Sequence, residues 1–439
     1  MSVYDIPPEI WNIVFVLLPH QAILSLNSVA RLFHDLSLPV LFYRFTFRPV
    51  LASLRVGSRQ FQRELQRLEF WSSEHIAPHV LTATIYLLGI ITSSSPLTNA
   101  VFAAISRFSN LRNLDYRFGQ RIDVSALSLD YPVPLATLRI DGGSLFQQAE
   151  ALPLVLSVRH FVWTNISAPV RGNGISQSSF LSILHPDTLD SLELDVRRPD
   201  SIDHFSDTTV MHSFHKMRFL LFVVDRLQSD YGQILSAIAS FPAIEDLIFD
   251  MRGIASAETP PSPDTISRAI APHLHRYKGP ASLLPFVLPG TQPVALSITL
   301  GNPASILRAL LRLGHSADIS SITSLSFSLG VASLLYTELG HGVLLDLLTR
   351  FPHLTRLAVR IISDAAEYHT HTSSDTLDGL VNILTVPPML RDAVFRFRLV
   401  RKADENLVPR VETLIGRVQR MNPHLNVIFS NLSADFWGF

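Results

Sequence analysis

The chain has 439 residues, enough for about two to four conventional domains or for one long repeat domain. Its 36 Lys+Arg against 37 Asp+Glu, with only 17% of residues charged, exclude a basic footprint for nucleic acid, and 47% hydrophobic with 9% aromatic content excludes a mainly disordered chain. The absence of cysteine excludes disulfide frameworks, thiolate zinc sites and cysteine nucleophiles, and it fits a reducing compartment.

In chain order, the first informative stretch is residues 5–44. Proline fixes φ and is tolerated in a first helical turn, so a helix is expected to begin at Pro7 or Pro8, with Glu9 at the positive end of its dipole. Ile10, Ile13, Val14, Leu17 and Leu18 recur at helical spacing until Pro19 ends the run. Residues 21–30 carry Ile23, Leu24, Leu26 and Val29, and residues 31–38 carry Leu32, Phe33, Leu36 and Leu38 before Pro39. Three short helices in about forty residues bury a low fraction of their surface, so some of this apolar surface should be covered by another protein or by the rest of the chain.

No secretory signal is expected, because Asp5 and Glu9 stand where one would carry positive charge. The longest other apolar run, residues 80–91, is too short to cross a bilayer. The expectation is a soluble intracellular protein of the cytoplasm or nucleus, with no membrane or nucleic-acid partner.

Residues 5–44 resemble an F-box, in the form common in long fungal F-box proteins. The resemblance is carried by Ile6-Pro7-Pro8-Glu9-Ile10, by Leu17-Leu18-Pro19, by Leu24 and Leu26, by the run Val29-Ala30-Arg31-Leu32-Phe33-His34, and by the exit Leu38-Pro39-Val40-Leu41-Phe42-Tyr43-Arg44. Ile6 stands where that family usually has leucine, and Ala30 where it prefers serine or cysteine. The resemblance implies docking on a Skp-type adaptor of a cullin ligase, with Ile6, Pro7, Pro8, Ile10, Leu17, Leu24, Val29 and Phe33 burying apolar surface against it.

Further along, residues 45–50 read as a strand leaving the helical module, and residues 58–75 as an amphipathic helix with Phe61, Leu65, Leu68 and Trp71 on one face. From about residue 80 a six-residue window with apolar first, fourth and sixth positions returns roughly every thirty residues, starting at 80, 111, 135, 158, 189, 217, 244, 274, 293, 322, 354 and 390. Gly279 and Pro293 make two of the copies poor. Most copies follow an amphipathic helical segment, as in residues 231–242, 303–314, 342–352 and 375–387, and several share an approach such as Phe108-Ser-Asn-Leu111, Phe241-Pro-Ala-Ile244 or Phe351-Pro-His-Leu354.

This alternation loosely resembles leucine-rich repeats, although most copies lack the asparagine that usually closes their consensus. It implies an α/β fold: a small N-terminal helical F-box followed by an irregular horseshoe of helix-strand repeats with a parallel sheet on its concave face. The expected boundaries are 1–50 for the helical module, 51–78 for a linker helix, and 79–439 for the repeats and a C-terminal cap. Residues 256–264 and 363–375 read as loops between repeats, 408–430 as a closing helix and strand, and the final SADFWGF as aromatic enough to tuck back onto the last repeat.

Little in the chain points to chemistry. Glu367, His369 and His371 have ligand-type side chains, but they lie in a loop with no fourth ligand, so a solvated segment outweighs a metal site. His273 and His275 read as surface histidines, and Gly142-Gly143 as a turn with no phosphate-loop lysine or dinucleotide fingerprint. Asn165 and Asn431 match the glycosylation sequon, which an intracellular chain leaves unmodified. Neither a metal nor another cofactor is expected.

Binding is therefore expected on the strand positions that alternate with the buried ones: Asn113, Asp115, Arg117, Arg139, Asp141, Glu193, Asp195, Asp246, Asp250, Arg276, Lys278, Arg356 and Arg360. Taken singly, each of these fits a solvated face better than a ligand role. Together with the F-box resemblance they imply a non-catalytic substrate-recognition subunit of a cullin-RING (SCF-type) ubiquitin ligase. The rival readings are an interaction scaffold that joins no ligase and a hydrolase with a site of unfamiliar pattern, against which stands the lack of any nucleophile with a recognisable partner nearby.

Overall fold

The computed structural model describes residues 6–49, 56–87, 96–118, 122–123, 134–142, 145–146, 156–166, 184–196, 214–224, 235, 238–239, 241–251, 270–300, 303–313, 318–330, 338–362, 387–398, 416, 420 and 423–432. The chain divides into two compact units, Met1–His212 and Ser213–Phe439. Among the described residues both units are α/β, and their main sheet strands pair in parallel.

The first unit opens with three helices, α1 (Pro8–Leu17), α2 (His20–Asn27) and α3 (Arg31–Leu41). Pro7 caps α1 at φ −55°, and Pro19 caps α2 after extended backbone at Leu18 has closed α1. Phe15, Ile23 and Phe33 form the core, with Trp11, Leu18, Leu26, Leu36, Val40 and Leu41 packed around it. The Trp11 and Phe33 rings meet edge-on at 4.9 Å. The buried Ser37 hydroxyl donates to Asn27 Oδ1 at 2.7 Å and ties α3 to α2.

Helix α3 runs through Pro39, where the sequence pattern ends it at residue 38. A proline inside a helix forfeits one backbone hydrogen bond, but stopping there would withdraw Val40 and Leu41 from the core.

Strand β1 (Arg44–Phe47) begins and ends earlier than expected, and it pairs in parallel with β2 (Thr82–Leu87), so it is a strand of the sheet as well as an exit from the helices. Helix α4 (Arg59–Trp71) starts at Ser58, whose hydroxyl accepts from the Phe61 amide at 3.1 Å. Ser58→Ala removes that cap and is expected to cost about 1 kcal/mol, read from the shift in urea midpoint. The helix buries Phe61 and Leu68, and Trp71 packs on Phe45 and Phe42 at ring distances of 5.2 and 5.3 Å.

Helix α5 (Pro96–Ile105) packs beside α4, and the remaining strands of the unit are β3 (Asn113–Phe118), β4 (Ile122–Asp123), β5 (Leu135–Asp141), β6 (Leu145–Phe146), β7 (Val158–Ile166) and β8 (Ser191–Val196). The main sheet runs in chain order, β1-β2-β3-β5-β7-β8, while β4 and β6 form a separate short pair.

In the second unit the order is again that of the chain: β9 (Phe219–Val224), β10 (Asp246–Met251), β11 (Arg276–Pro280), β12 (Ala295–Leu300), β13 (Ser324–Gly330), β14 (Arg356–Ile362), β15 (Asp392–Arg398) and β16 (Asn426–Leu432). Parallel neighbours need crossover connections, and here these include the helices Leu284–Val287, Pro303–Leu313 and Glu338–Thr349. The last two pack on each other, with Ile306, Leu310, Leu344 and Leu347 buried.

The six-residue window explains this stacking. In every copy the described residues at the first, fourth and sixth positions are buried. Register then aligns each fourth residue with the next: Ala83, Leu114, Leu138, Phe161 and Leu192 in the first unit, and Leu220, Leu247, Tyr277, Leu296, Leu325, Leu357, Ala393 and Val427 in the second. A strand turns alternate side chains to one face, so these residues form a continuous buried row that no single repeat could shield.

The approach is also shared: the amides of Leu111, Ile244 and Leu354 donate to the carbonyls of the buried Phe108, Phe241 and Phe351 at 3.0, 3.3 and 3.2 Å. At the start of the strands, one carbonyl serves two amides of the next repeat. Leu81 O accepts from Arg112 and Asn113 at 2.9 and 3.1 Å, and Thr323 O from Thr355 and Arg356 at 2.8 and 2.9 Å.

Gly279 fills a position that other copies give to a large side chain, and the space is taken by the Tyr277 ring, whose hydroxyl donates to Pro280 O at 2.8 Å. Gly142 ends β5 at φ +89°, in the left-handed region, as the turn reading requires. The loops 256–264 and 363–375 and the terminal 433–439 lie outside the described residues.

Candidate functional site

Two surfaces carry the residues singled out from the sequence. The first is the outer side of α1 and α2. Helix α1 is apolar nearly all round, with only Glu9 and Asn12 polar, so it cannot bury every side against two short neighbours. Phe15 takes the core, which leaves Ile10, Ile13, Val16 and Leu17 exposed at 49%, 59%, 70% and 78%. Leu24 on α2 and Val29 after it are exposed as well. Pro7 is exposed, Ile6 is half-buried, and Pro8 forms the first turn of α1.

Phe33 departs from the expectation. It is 7% exposed and sits between Trp11 and Phe15, so it serves the module's own core and offers nothing to a partner. Sequence reasoning missed Val16, although its place one turn from both Ile13 and Asn12 on a helix with so few polar residues was the available signal.

The second surface is the open face of the strands. In the first unit, Arg117 donates from Nε and Nη2 to Asp115 Oδ2 at 3.2 and 3.0 Å, and that carboxylate raises the pKa of its guanidinium. Arg117 and Arg48 lie over the Tyr86 ring at 5.0 and 5.5 Å from its centroid, a cation–π arrangement. Thr164 donates to Asp141 Oδ1 at 3.0 Å, and Asn113 donates to Thr82 Oγ1 at 3.5 Å. Arg139 is exposed and Glu193 half-buried, whereas Asp195 is 7% exposed and is therefore not a solvent-facing contact.

In the second unit, charges at adjacent register positions neutralise one another. Asp246 stands opposite Arg276 and takes two hydrogen bonds from its guanidinium, which raises the pKa of Arg276. Arg356 stands opposite Asp392 at 3.4 Å, and Asn426 donates to the same carboxylate at 3.5 Å. Such cross-strand pairs hold neighbouring strands in register. Asp246→Asn is expected to cost about 0.5–1 kcal/mol at low salt and less at high salt, measured by thermal unfolding in both buffers.

Lys278 and Arg360 are exposed, and Asp250 is half-buried. The register also brings in a residue the sequence reading passed over: Arg396 on β15 stands directly opposite Arg360 on β14. Each follows the sixth position of its window, so extending the window by one residue would have revealed it.

His273 and His275 are exposed, as expected of surface histidines. Glu367, His369 and His371 lie outside the described residues, and among those described no group of three or more His, Cys, Asp or Glu could hold a metal ion. Likewise, no described helix is long and apolar enough to cross a membrane. In comparisons with protein-family models and with curated proteins, the chain matches none.

Proposed function

We propose that this chain is the substrate-recognition subunit of an SCF-type cullin-RING ubiquitin ligase, docking on a Skp-type adaptor through an F-box formed by α1–α3. The observation that carries this reading is the excess of apolar surface on the helices: Phe15, Ile23 and Phe33 suffice for a core, yet Ile10, Ile13, Val16, Leu17, Leu24 and Val29 remain exposed. Surface of that kind marks a protein contact. The F-box pattern in the sequence says which contact.

The stacked helix-strand units behind it are irregular leucine-rich repeats, and their open strand face is the client surface. The role is non-catalytic: other subunits supply the chemistry, and this chain contributes proximity.

Ile10→Asp with Leu17→Asp puts two charges into the adaptor contact while altering no buried residue. Because fully burying each leucine or isoleucine is worth about 1.5–3 kcal/mol, adaptor affinity is expected to fall at least about a hundredfold with an unchanged melting temperature. Co-purification with a Skp-type adaptor reads the result. Undiminished capture of the adaptor by the folded variant overturns the proposal and leaves the scaffold reading in its place.

A further inference from the structure

We infer that Arg360 and Arg396 form a carboxylate clamp that recognises an acidic peptide segment of a protein client. The inference rests on reading the strand face as the client surface and adds the chemistry of what it takes.

The two strands that carry these residues use charge in two opposite ways. At their start, Arg356 faces Asp392, an attractive pair. One rung holds Ala358 against Val394, both uncharged, and the next holds Arg360 against Arg396. Adjacent strands lie about 4.8 Å apart, and like charges directly opposite one another are destabilising. Both arginines are exposed, and among the described residues neither side chain makes an ion pair or a hydrogen bond. The fold thus tolerates a repulsive rung four residues from a place where the same strands achieve neutrality.

The register also places polar residues on either side of that rung. Ser328 on β13 is in register with Arg360, and Ser430 on β16 with Arg396, so the row reads Ser, Arg, Arg, Ser across four strands. Two planar guanidinium groups side by side suit carboxylates, each of which can accept two parallel hydrogen bonds. Three strand spacings make the row about 14 Å long, the span of an extended peptide of about four residues. Arg360 and Arg396 are exposed side by side on the strand face, which suits a segment of chain better than an enclosed ion.

The test uses the full chain and a fluorescein-labelled oligoglutamate peptide, with binding followed by fluorescence anisotropy at low salt. Arg360→Ser with Arg396→Ser is expected to weaken binding at least tenfold and to leave the melting temperature unchanged or raised, since the repulsive rung is gone. Arg308→Ser with Arg312→Ser, on the exposed side of the helix Pro303–Leu313, removes the same net charge and is expected to change binding less than twofold.

Equal losses in the two double variants, no binding by the unmodified chain, or a lowered melting temperature in the Arg360/Arg396 variant would each overturn the inference. No adaptor is present, so this outcome is read separately from the test of the ligase reading.

Discussion

Replacing Gly279 by isoleucine, the type of residue the repeat pattern places there and the one its neighbour Ile298 supplies on the next strand, is expected to destabilise the second unit. A Cβ at Gly279 would lie 2.5 Å from the Tyr277 hydroxyl, 2.8 Å from Cζ of the same ring and 3.0 Å from Phe249 Cβ. Tyr277 cannot swing aside cheaply, because it is 1% exposed and its hydroxyl is bonded to Pro280 O.

Overpacking of this kind costs about 1–3 kcal/mol, with isoleucine at or above the upper end and alanine nearer the lower. Guanidinium unfolding measures both. Pairing Gly279→Ile with Tyr277→Leu moves the bulk from one position to the other and is expected to recover most of the loss. An isoleucine variant as stable as the unmodified chain would show that the tyrosine ring does not hold the space.

Phe45→Ala is expected to cost the first unit about 3–5 kcal/mol. The ring is wholly buried and meets Trp71 at 5.2 Å, Phe108 at 5.3 Å and Phe47 at 6.3 Å. It therefore joins β1, α4 and the approach to β3 in one aromatic cluster, and a cavity there touches all three. Chemical denaturation followed by tryptophan fluorescence reads the loss, because Trp71 lies against the site. A change below 1 kcal/mol would mean that the cluster collapses around the gap.

The rows of buried residues were legible because strand alternation and the distance between repeats are local properties of the chain. The window at 111 already names Leu111, Leu114 and Tyr116, and all three are buried. One copy escaped notice: Phe42, Phe45 and Phe47 fit the same spacing, and β1 is the strand they build.

What was not legible depended on register or on three-dimensional volume. The opposition of Arg360 to Arg396 appears only once two windows 36 residues apart are laid side by side. Gly279 looked like a defect because nothing local says that Tyr277 turns into the space. On α1 the apolar residues were visible but not their assignment, since a helix apolar nearly all round does not declare which side is core. The sequence stripe of Ile10, Ile13 and Leu17 is the exposed side, and Phe15 holds the interior.

Only Phe42 and Tyr43 separate the last turn of α3 from β1. The Phe42 ring is pinned against Phe70 and Trp71 at 5.8 and 5.3 Å, and the Tyr43 carbonyl accepts from the Leu81 and Thr82 amides at 2.9 and 3.0 Å. The joint has no slack. Helices α1 and α2 are thereby held at one bearing to β1, β2 and β3, so this end of the molecule behaves as a bracket and not as a tether. Splicing a few glycines between Phe42 and Tyr43 would turn the bracket into a swivel.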